Sequence, residues 1–519
     1  MSSPRPHERP PAVASPAEAL RRLFGRGSVY TIVLTIQMST ALIVVPIATR
    51  LLSPSGYGHV AVGVVIFTLL AIVGALGLAD AAARTFFAGA EGPRRARRLV
   101  AAATGSAVLL SLVVDLTGSV WAPLFGLSYG GVLRAAVWAG AAGAILLGVQ
   151  ALLRVSERVW TFLVIAVVAA VGGQALAVSL AALTHSATAY MSGIAAGTGL
   201  AAIVGVIATG CLRSGVAGPG EVKAGLALGL PIVPHSLAVS LLASADRILI
   251  VGILGLASAG RYQVAYAVGG LGVALVTALN QAWVPLLLGA RERGRWQILR
   301  ATSAVVHVVA GIAGVTLALL APLALVVAAP ASYGRHALMP VAAIVAFSAL
   351  PYATCSSYFQ VVFVSGRTRV MAVAAPVAAA VNIALNLVLL PAIGLVGAAV
   401  ATVVAYGLLP GVVAVIAHRL APLAAVSRDS LRSWLLAAPF VAAGALIPPG
   451  VLGVAARVAA LAVALAGATL LLRSAASQQT TAQPSPEAAG ASPGGAEPEA
   501  SGEALGRESR LHPAVEAPG

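Results

Sequence analysis

Charged residues are scarce in this chain: Asp, Glu, Lys and Arg make up 9% of its 519 residues, against roughly 25% in soluble domains. Hydrophobic residues make up 59%, and the mean hydropathy is +0.97. A soluble protein of this length could bury a large core, but its surface would still need polar cover. Because this chain has too few polar residues for that, the sequence predicts an all-α polytopic membrane protein whose apolar surface faces lipid.

Lysine, cysteine and nucleotide-binding motifs are also nearly absent. Lys223 is the only lysine, so arginine supplies almost all of the formal charge of +16. The arginines lie in short gaps between apolar runs rather than along one face, which argues against nucleic-acid binding. Cys211 and Cys355 stand in apolar segments without a partner motif, and no Gly-x-x-x-x-Gly-Lys-Ser/Thr loop for ATP occurs. We therefore expect no nucleic-acid partner, no metal site and no cofactor.

Long apolar runs recur along the chain. A helix needs about 20 mostly apolar residues to cross a bilayer, and the sequence predicts about fourteen such transmembrane helices. The turn Ile447-Pro448-Pro449-Gly450 leaves short helices on both sides, so twelve or thirteen spans are the alternatives. The predicted spans are residues 28–49, 60–79, 99–121, 132–153, 160–183, 189–210, 225–245, 263–288, 302–328, 338–362, 370–391, 394–417, 433–448 and 451–472.

The gaps between these runs differ in charge. Twenty-three Lys and Arg residues lie in the N-terminal segment and in every second gap, whereas five lie in the intervening gaps. Cytoplasmic loops carry such an excess of positive charge. The pattern predicts a multi-pass protein of the plasma (inner) membrane with both termini in the cytoplasm.

One motif recurs and suggests two similar halves. Gly56-Tyr57-Gly58 follows the first helix and Gly260-Arg261-Tyr262 follows the seventh. Parallel repeats of this kind bind substrate between the halves and work by rocking one half against the other. We expect a cytoplasmic N-terminal segment (1–26), an N-terminal six-helix lobe (27–212), a cytoplasmic inter-lobe loop (213–224), a C-terminal six-helix lobe (225–418), two peripheral transmembrane helices (419–473) and a disordered cytoplasmic tail (474–519).

Three stretches, in order, carry a family resemblance that covers about residues 28–472. The chain resembles bacterial polysaccharide flippases, the O-antigen-type lipid-linked oligosaccharide flippases of the multidrug/oligosaccharidyl-lipid/polysaccharide exporter superfamily. The stretches are Pro46-Ile47-Ala48-Thr49-Arg50-Leu51-Leu52 leading into Gly56-Tyr57-Gly58; Gly229-Leu230-Pro231-Ile232-Val233-Pro234-His235 with Asp246-Arg247 and Ala259-Gly260-Arg261-Tyr262; and Asn382-Ile383-Ala384-Leu385-Asn386 with Pro391 and Gly394-Leu395-Val396-Gly397.

The resemblance implies both a fold and an activity. The fold would be two six-helix bundles around a central cavity plus two C-terminal helices. The activity would be translocation of a polyprenyl-pyrophosphate-linked oligosaccharide, such as an undecaprenyl one, from the cytoplasmic to the outer leaflet by alternating access. The partners implied are that substrate, membrane lipid and the polysaccharide polymerase or export machinery.

Other functions remain as alternatives at this stage. A multidrug extruder of the same superfamily would need acidic residues to hold organic cations, and the first helix has none. A lipid II flippase would have an equally basic cavity. A membrane polymerase or ligase would need a large external loop for acid–base groups, and no outer gap is long enough. We therefore expect a transporter rather than an enzyme.

Five arginines are candidate ligands for a pyrophosphate, because a guanidinium presents a planar fork that matches phosphate oxygens. Arg84 follows the second helix at the predicted cytoplasmic mouth. The other four depart from the positive-inside trend. For each arginine, a role in topology or interfacial anchoring is the alternative. The candidates are Arg50, Arg84, Arg134, Arg247 and Arg261.

Other polar residues in apolar runs are further candidates. Gln37, Asn280 and Gln281 could contact sugar hydroxyls, with interhelical hydrogen bonding as the alternative. Carboxylates at bilayer depth are costly and therefore often functional. Asp115, Asp246 and His235 are the candidates for ion coupling, and packing or helix-end roles are the alternatives. Pro231 and Pro234 precede His235 and can bend the helix there.

Overall fold

A computed structural model describes residues 40, 42–289, 292–367, 369–420 and 424–481, and the described residues form helices and no strand. The described residues divide into two compact units, those up to 469 and those from 470 to 481. The helices are α1 Leu42–Leu51, α2 Pro54–Gly74, α3 Leu78–Thr85, α4 Gly92–Leu116, α5 Gly118–Trp121, α6 Gly131–Val155, α7 Val159–Val167, α8 Gly173–Thr184, α9 Ala187–Thr209, α10 Pro219–Gly229, α11 Val233–Leu254, α12 Leu256–Gly269, α13 Leu271–Gly289, α14 Glu292–Leu319, α15 Ala321–Ala328, α16 Arg335–Phe347, α17 Ala349–Val364, α18 Arg369–Ile393, α19 Leu395–Leu420, α20 Ala424–Leu446 and α21 Val451–Thr481.

The all-α membrane class predicted from composition is confirmed. In the described part of the chain, 11 helical spans are long and apolar enough to cross a membrane, or 12 if the bent pair α12 and α13 is one span. Three of the 11 consist of two consecutive helices: α7 with α8, α10 with α11, and α16 with α17. Neither α1 nor α20 belongs to that count, since α1 is short as described and α20 carries Arg428, Asp429 and Arg432. The chain is a multi-pass membrane protein, and the count of fourteen stays a prediction.

Several predicted span boundaries differ from the structure, and two of these differences concern the helices α11 to α13. The span predicted at residues 225–245 continues to Leu254, because the charged residues at 246 and 247 are neutralised inside the helix rather than ending it. The span predicted at residues 263–288 begins earlier, at Leu256, and bends by 48° between α12 and α13. The bend falls at Gly269 and Gly270, where backbone without side chains tolerates a change of direction.

The bundle has two ends, which we name by their residues. The basic end carries α3, the start of α4 with its four arginines, and α10. The opposite end carries the connection from α1 to α2 and the start of α12. Ser53 caps α2 at that end by accepting a hydrogen bond from the Gly56 backbone, and Pro54 follows at the first helical position.

Small residues let helices approach closely within the N-terminal part of the bundle. Gly193 and Gly197, one turn apart on α9, face Ala177 and Gly173 of α8. A methyl group added at Gly197 would lie 2.2 Å from the Gly173 α-carbon, so the helices meet backbone to backbone. Membrane helices, which gain little hydrophobic energy from association, gain dispersion contacts in this way.

Helix α2 joins the N-terminal half (through residue 212) to the C-terminal half (from residue 225), since it packs against α6 on one side and α11 and α12 on the other. A methyl group at Gly58 would lie 2.0 Å from the Leu256 carbonyl oxygen, and one at Gly260 would lie 1.9 Å from the Pro54 carbonyl oxygen. The contact is reciprocal and uses the glycines of the two motifs noted in the sequence. Gly77 and Gly229 make a second close contact at the basic end, with 2.1 Å from a methyl at Gly77 to the Gly229 oxygen.

Candidate functional site

A charged pair is buried on α11. Asp246 and Arg247 expose 2% and 4% of their surface, and Nη1 of Arg247 lies 2.7 Å from Oδ1 of Asp246. The sequence places this pair at a helix end, but α11 continues to Leu254, about 10 Å farther at 1.5 Å per residue. The pair therefore lies inside the membrane-spanning segment, where only paired or functional charges persist.

Both charges are satisfied by neighbours in the C-terminal half. Tyr262 donates to Oδ2 of Asp246 at 2.6 Å, and Nε of Arg247 donates to Oε1 of Gln263 at 3.1 Å. The Arg247 guanidinium lies 3.8 Å from the centre of the Tyr266 ring, a cation–π contact. Such partners offset the desolvation of a buried ion pair. We call Asp246, Arg247, Tyr262, Gln263 and Tyr266 the Arg247 cluster.

The Arg247 cluster lies at the contact between the halves. Its helices, α11 and α12, are the two that pack on α2. Tyr57 of α2 is buried in the same apolar core as Tyr262 of the cluster. The reciprocal contact of Gly58 and Gly260 lies on the same helices, toward the opposite end. Separating the halves would therefore expose the cluster.

Polar side chains extend from the cluster across α13, α17 and α19. The rings of Tyr352 and Tyr406 meet edge to face with centres 5.6 Å apart, and Thr277 donates to the Tyr352 hydroxyl at 3.2 Å. Farther along α13, Asn280 accepts a 2.5 Å hydrogen bond from Gln360. The sequence-predicted contact residue Asn280 thus has an interhelical partner in this structure.

Two further candidates, Asp115 and Arg134, pair with each other at the opposite end of α4 and α6. Nε of Arg134 lies 3.0 Å from Oδ1 of Asp115, and Trp138 donates to Oδ2 at 3.3 Å. Tyr129 also donates to Asp115, and its burial together with this bond raises the pKa of Tyr129 above its usual value. Tyr129 therefore stays a donor at neutral pH. Aromatic side chains with polar tips are typical of the membrane interface.

The remaining arginine candidates are exposed. Arg50 donates to the carbonyl oxygens of Pro46 at 2.7 Å and Val327 at 3.0 Å, the second across the two halves. Arg84 and Arg261 are exposed on α3 and α12. Among the described residues, the buried charged side chains are those of Asp246, Arg247 and Arg457, so Arg247 is the one arginine candidate that the structure brings into the interior.

His235 bridges two helices of the C-terminal half. It follows a 3-10 turn at Leu230–Ile232, where the two prolines of the sequence interrupt the helix between α10 and α11. Its Nδ1 donates to the Met371 carbonyl oxygen at 2.9 Å, which ties α11 to α18. Gln37 lies outside the described residues, and the side chain of Gln281 is likewise not described.

The sequence profile of the polysaccharide biosynthesis protein family matches residues 25–289, just over half of the chain. This chain belongs to that family. The match covers α2, the Arg247 cluster and both glycine contacts between the halves, and it confirms the resemblance drawn from the sequence. A search of curated proteins finds no match.

Solved structures show that this family member has a transporter fold. It is similar to the lipid II flippase MurJ in an inward closed conformation (TM-score 0.60, 12% identity, 85% of this chain and 98% of that chain). It is similar to an inward-facing multidrug resistance MATE family transporter of the MOP superfamily (TM-score 0.56, 14% identity, 80% and 98%). A mutant of the Vibrio cholerae MATE transporter VcmN is also similar (TM-score 0.51, 14% identity, 78% and 97%). The polysaccharide family member thus has the same fold as these solved transporters.

Sequence reasoning missed partners that arise only when helices meet. Gln263 and Tyr266 follow directly after the motif Ala259-Gly260-Arg261-Tyr262, and their spacing from Tyr262 along α12 could have suggested a shared polar patch. The ion pair between Arg98 of α4 and Glu221 of α10, with 2.6 Å between Nη2 and Oε1, joins the N-terminal half to the helix that leads into the C-terminal half at the basic end. No local signal pairs these two residues, because more than 120 positions separate them.

Proposed function

We propose that this protein flips a polyprenyl-pyrophosphate-linked oligosaccharide from the cytoplasmic to the outer leaflet of the plasma (inner) membrane. The observation that carries the proposal is Arg247, a buried arginine at the contact between the halves of a polysaccharide-family chain with a MOP-superfamily fold. The excess of arginine at the basic end supports a cytoplasmic location for that end and for both termini.

The cluster offers a way to receive a phosphate without stranding a buried charge. If the guanidinium of Arg247 turned toward a phosphate, Asp246 would keep the Tyr262 hydroxyl at 2.6 Å and the Arg247 backbone N–H at 3.0 Å. The carboxylate would stay hydrogen-bonded, and the guanidinium would gain a bidentate anion. The sugars would then cross in the polar space between the lobes while the polyprenyl chain stayed in lipid, which avoids exposing hydroxyls to hydrocarbon.

The same cluster disfavours the multidrug alternative. An extruder of organic cations needs a carboxylate to hold its cargo, and the one buried carboxylate of the described residues, Asp246, is already paired with Arg247. A lipid II flippase would use the same phosphate chemistry. The assay below therefore includes both lipid-linked substrates and an organic cation.

Purified protein in proteoliposomes, given in turn a fluorescent polyprenyl-pyrophosphate oligosaccharide, lipid II and an organic cation, tests the proposal. Arg247→Lys keeps the charge but loses the planar fork, and we expect at least about a tenfold loss of apparent affinity, about 1.4 kcal/mol. Arg457→Lys is the matched control, since Arg457 is also buried but donates to carbonyls of Leu319 and Ile447. Wild-type affinity in Arg247→Lys would remove the phosphate assignment, and transport of the organic cation instead would overturn the saccharide proposal.

A further inference from the structure

A second polar cluster lies inside the C-terminal half, on helices other than those of the Arg247 cluster. His307 of α14 exposes 1% of its surface and contacts hydroxyl side chains of α17 and α20. The proposed flipping site makes no use of it. We call His307, Ser303, Thr354, Ser430 and Trp434 the His307 cluster.

The geometry fixes which ring nitrogen of His307 can change its protonation. Nδ1 lies 2.7 Å from the backbone carbonyl oxygen of Ser303. A carbonyl oxygen only accepts hydrogen bonds, so Nδ1 carries a proton and donates it in both charge states. Nε2 is therefore the atom that gains or loses a proton.

The partners of Nε2 can serve both states by rotation alone. Nε2 lies 2.9 Å from Oγ1 of Thr354 and 2.8 Å from Oγ of Ser430. Each hydroxyl can also donate to the carbonyl four residues earlier on its own helix, Leu350 at 3.1 Å or Val426 at 2.7 Å. With a neutral ring, one hydroxyl must leave its carbonyl to donate to Nε2. With a protonated ring, Nε2 donates, and both hydroxyls keep their carbonyls.

The hydrogen bonds thus favour the charged ring, while burial opposes it. Burial is the largest influence on His307 and favours the neutral ring, whereas the Ser303 carbonyl and, to a smaller extent, Asp429 next to Ser430 on α20 favour the charged ring. Trp434 donates to Oγ1 of Thr354 at 3.2 Å, which holds that hydroxyl in place.

Helices α13 and α15 contribute no titratable side chain to the described part of the packing around α14. The titratable groups of the other helices that pack on α14 are Cys355, Tyr352 and Tyr358 of α17, Arg335 and His336 at the far end of α16, Arg261, Tyr262 and Tyr266 of α12, and Arg428, Asp429 and Arg432 of α20.

Polar side chains lie between the α19–α20 connection and the His307 cluster. The Ser427 hydroxyl lies 3.1 Å from Nε2 of His418 and 2.7 Å from the Tyr358 hydroxyl, where α19 ends and α20 begins. Ser427 and Ser430 are three residues apart and share one face of α20. Hydroxyl groups therefore follow this face of α20 from the end of the helix, where His418 of α19 lies beside Ser427, to the buried Ser430.

We propose that Nε2 of His307 binds and releases a proton during the conformational cycle, with the hydroxyls of Thr354 and Ser430 turning to serve each state. The C-terminal half then contains a proton-coupling site in addition to the substrate site. The coupling role rests on the proposed function, whereas proton binding itself is independent of the substrate.

Proton binding is measured by NMR of the full chain with isotope-labelled histidine in lipid nanodiscs. The His307 resonance is assigned by its loss in His307→Gln. As the pH is lowered from about 8 to about 5, the range in which histidine switches act, it should change from the neutral to the charged form. Ser430→Ala removes one acceptor for the Nε2 proton and should move the midpoint to lower pH, which also assigns the resonance if His307→Gln fails to fold. A resonance that stays neutral over this range would overturn the proposal.

Coupling is measured with the proteoliposome assay under an imposed pH gradient. We expect the gradient to change the wild-type flipping rate several-fold and to have no effect on His307→Gln, whose amide keeps a donor and an acceptor but cannot be charged. His185→Gln, an exposed histidine of the N-terminal half, is the control and should respond as wild type does. An equal response in His307→Gln would contradict the coupling role. Absence of flipping by the wild type at every pH would instead contradict the proposed function, and the NMR result would still stand.

Discussion

The two halves of the chain differ in what they bury. In the described part of the N-terminal half, the buried polar side chains are hydroxyls, and those of Thr198 and Thr209 bond to carbonyls of their own helices at 2.7 and 2.8 Å. The C-terminal half also buries charges, amides and an imidazole. Asp246, Arg247, His307, Gln360 and Arg457 bond to other helices, whereas Asn382 and Asn386 bond to each other within α18.

The difference concerns chemistry and not the way the halves meet. Gly58 and Gly260 each face a carbonyl oxygen of the other half, so both halves contribute equally to that contact. The N-terminal half is held by small residues and dispersion contacts, which slide with little loss. The C-terminal half has such close contacts too, at Gly269 and Gly314, and adds directional hydrogen bonds between buried polar side chains, which break at a higher cost. We infer that the first half serves as a scaffold and that the second carries the binding chemistry.

The largest expected effect tests the contact that the halves share. Gly58→Ala or Gly260→Ala places a methyl group about 2 Å from a backbone oxygen, so the helices must separate, and overpacking of this kind costs about 1–3 kcal/mol. Both variants should lose flipping to a similar extent, about tenfold or more. The assay is the same proteoliposome measurement, with thermal unfolding of the purified protein alongside.

Gly105→Ala and Gly199→Ala are the controls for that experiment. Both glycines lie in helices with no neighbouring atom within 4 Å of the added methyl group. Alanine has a higher helix propensity than glycine by about 1 kcal/mol, so these variants should be neutral or stabilising. A loss in only one of Gly58→Ala and Gly260→Ala would break the symmetry inferred for the contact.

A smaller effect is expected on stability when a buried hydroxyl is removed, and it should be larger in the C-terminal half than in the N-terminal half. Thr354→Val leaves Nε1 of Trp434 without its partner and Nε2 of His307 with Ser430 alone, and the loss of a buried partner costs about 1–3 kcal/mol. Thr198→Val removes only a bond to the Ile194 carbonyl of its own helix and should cost clearly less. Thermal unfolding in detergent measures both. Equal losses would show that the buried hydroxyls of the halves are equivalent after all.

The smallest effect is expected at the opposite end of α4 and α6. Arg134 is 65% exposed, so its pair with Asp115 is screened by water, and Tyr129 and Trp138 still hold the carboxylate when arginine is lost. Arg134→Ala should leave the flipping rate within about twofold of wild type and the melting temperature nearly unchanged. A large loss of flipping would return Arg134 to the substrate path and extend the binding chemistry to the N-terminal half.

Part of this could be predicted from composition and local pattern. Hydropathy located most helices, because each helix in lipid must satisfy its own backbone and so needs a continuous apolar run. The hydropathy pattern placed the end of α11 too early, at residues 246 and 247, because two adjacent charged residues interrupt an apolar run. In the fold, Tyr262 and Gln263 form hydrogen bonds with this pair, and the helix continues. The pattern also joined α12 to α13, since apolarity carries no information about direction, and the bend at Gly270 does not interrupt it.

The sequence by itself determined the membrane class, the family and the list of polar residues that deserve a role, because these depend on composition and on motifs contiguous in the chain. Only the tertiary structure decided which of them meet. Arg247 is buried in the interior, and Arg134 pairs with Asp115 near the end of α4 and the start of α6. His307 contacts side chains of α17 and α20. Burial and hydrogen bonding between helices depend on packing over long sequence separations, and no local pattern encodes them.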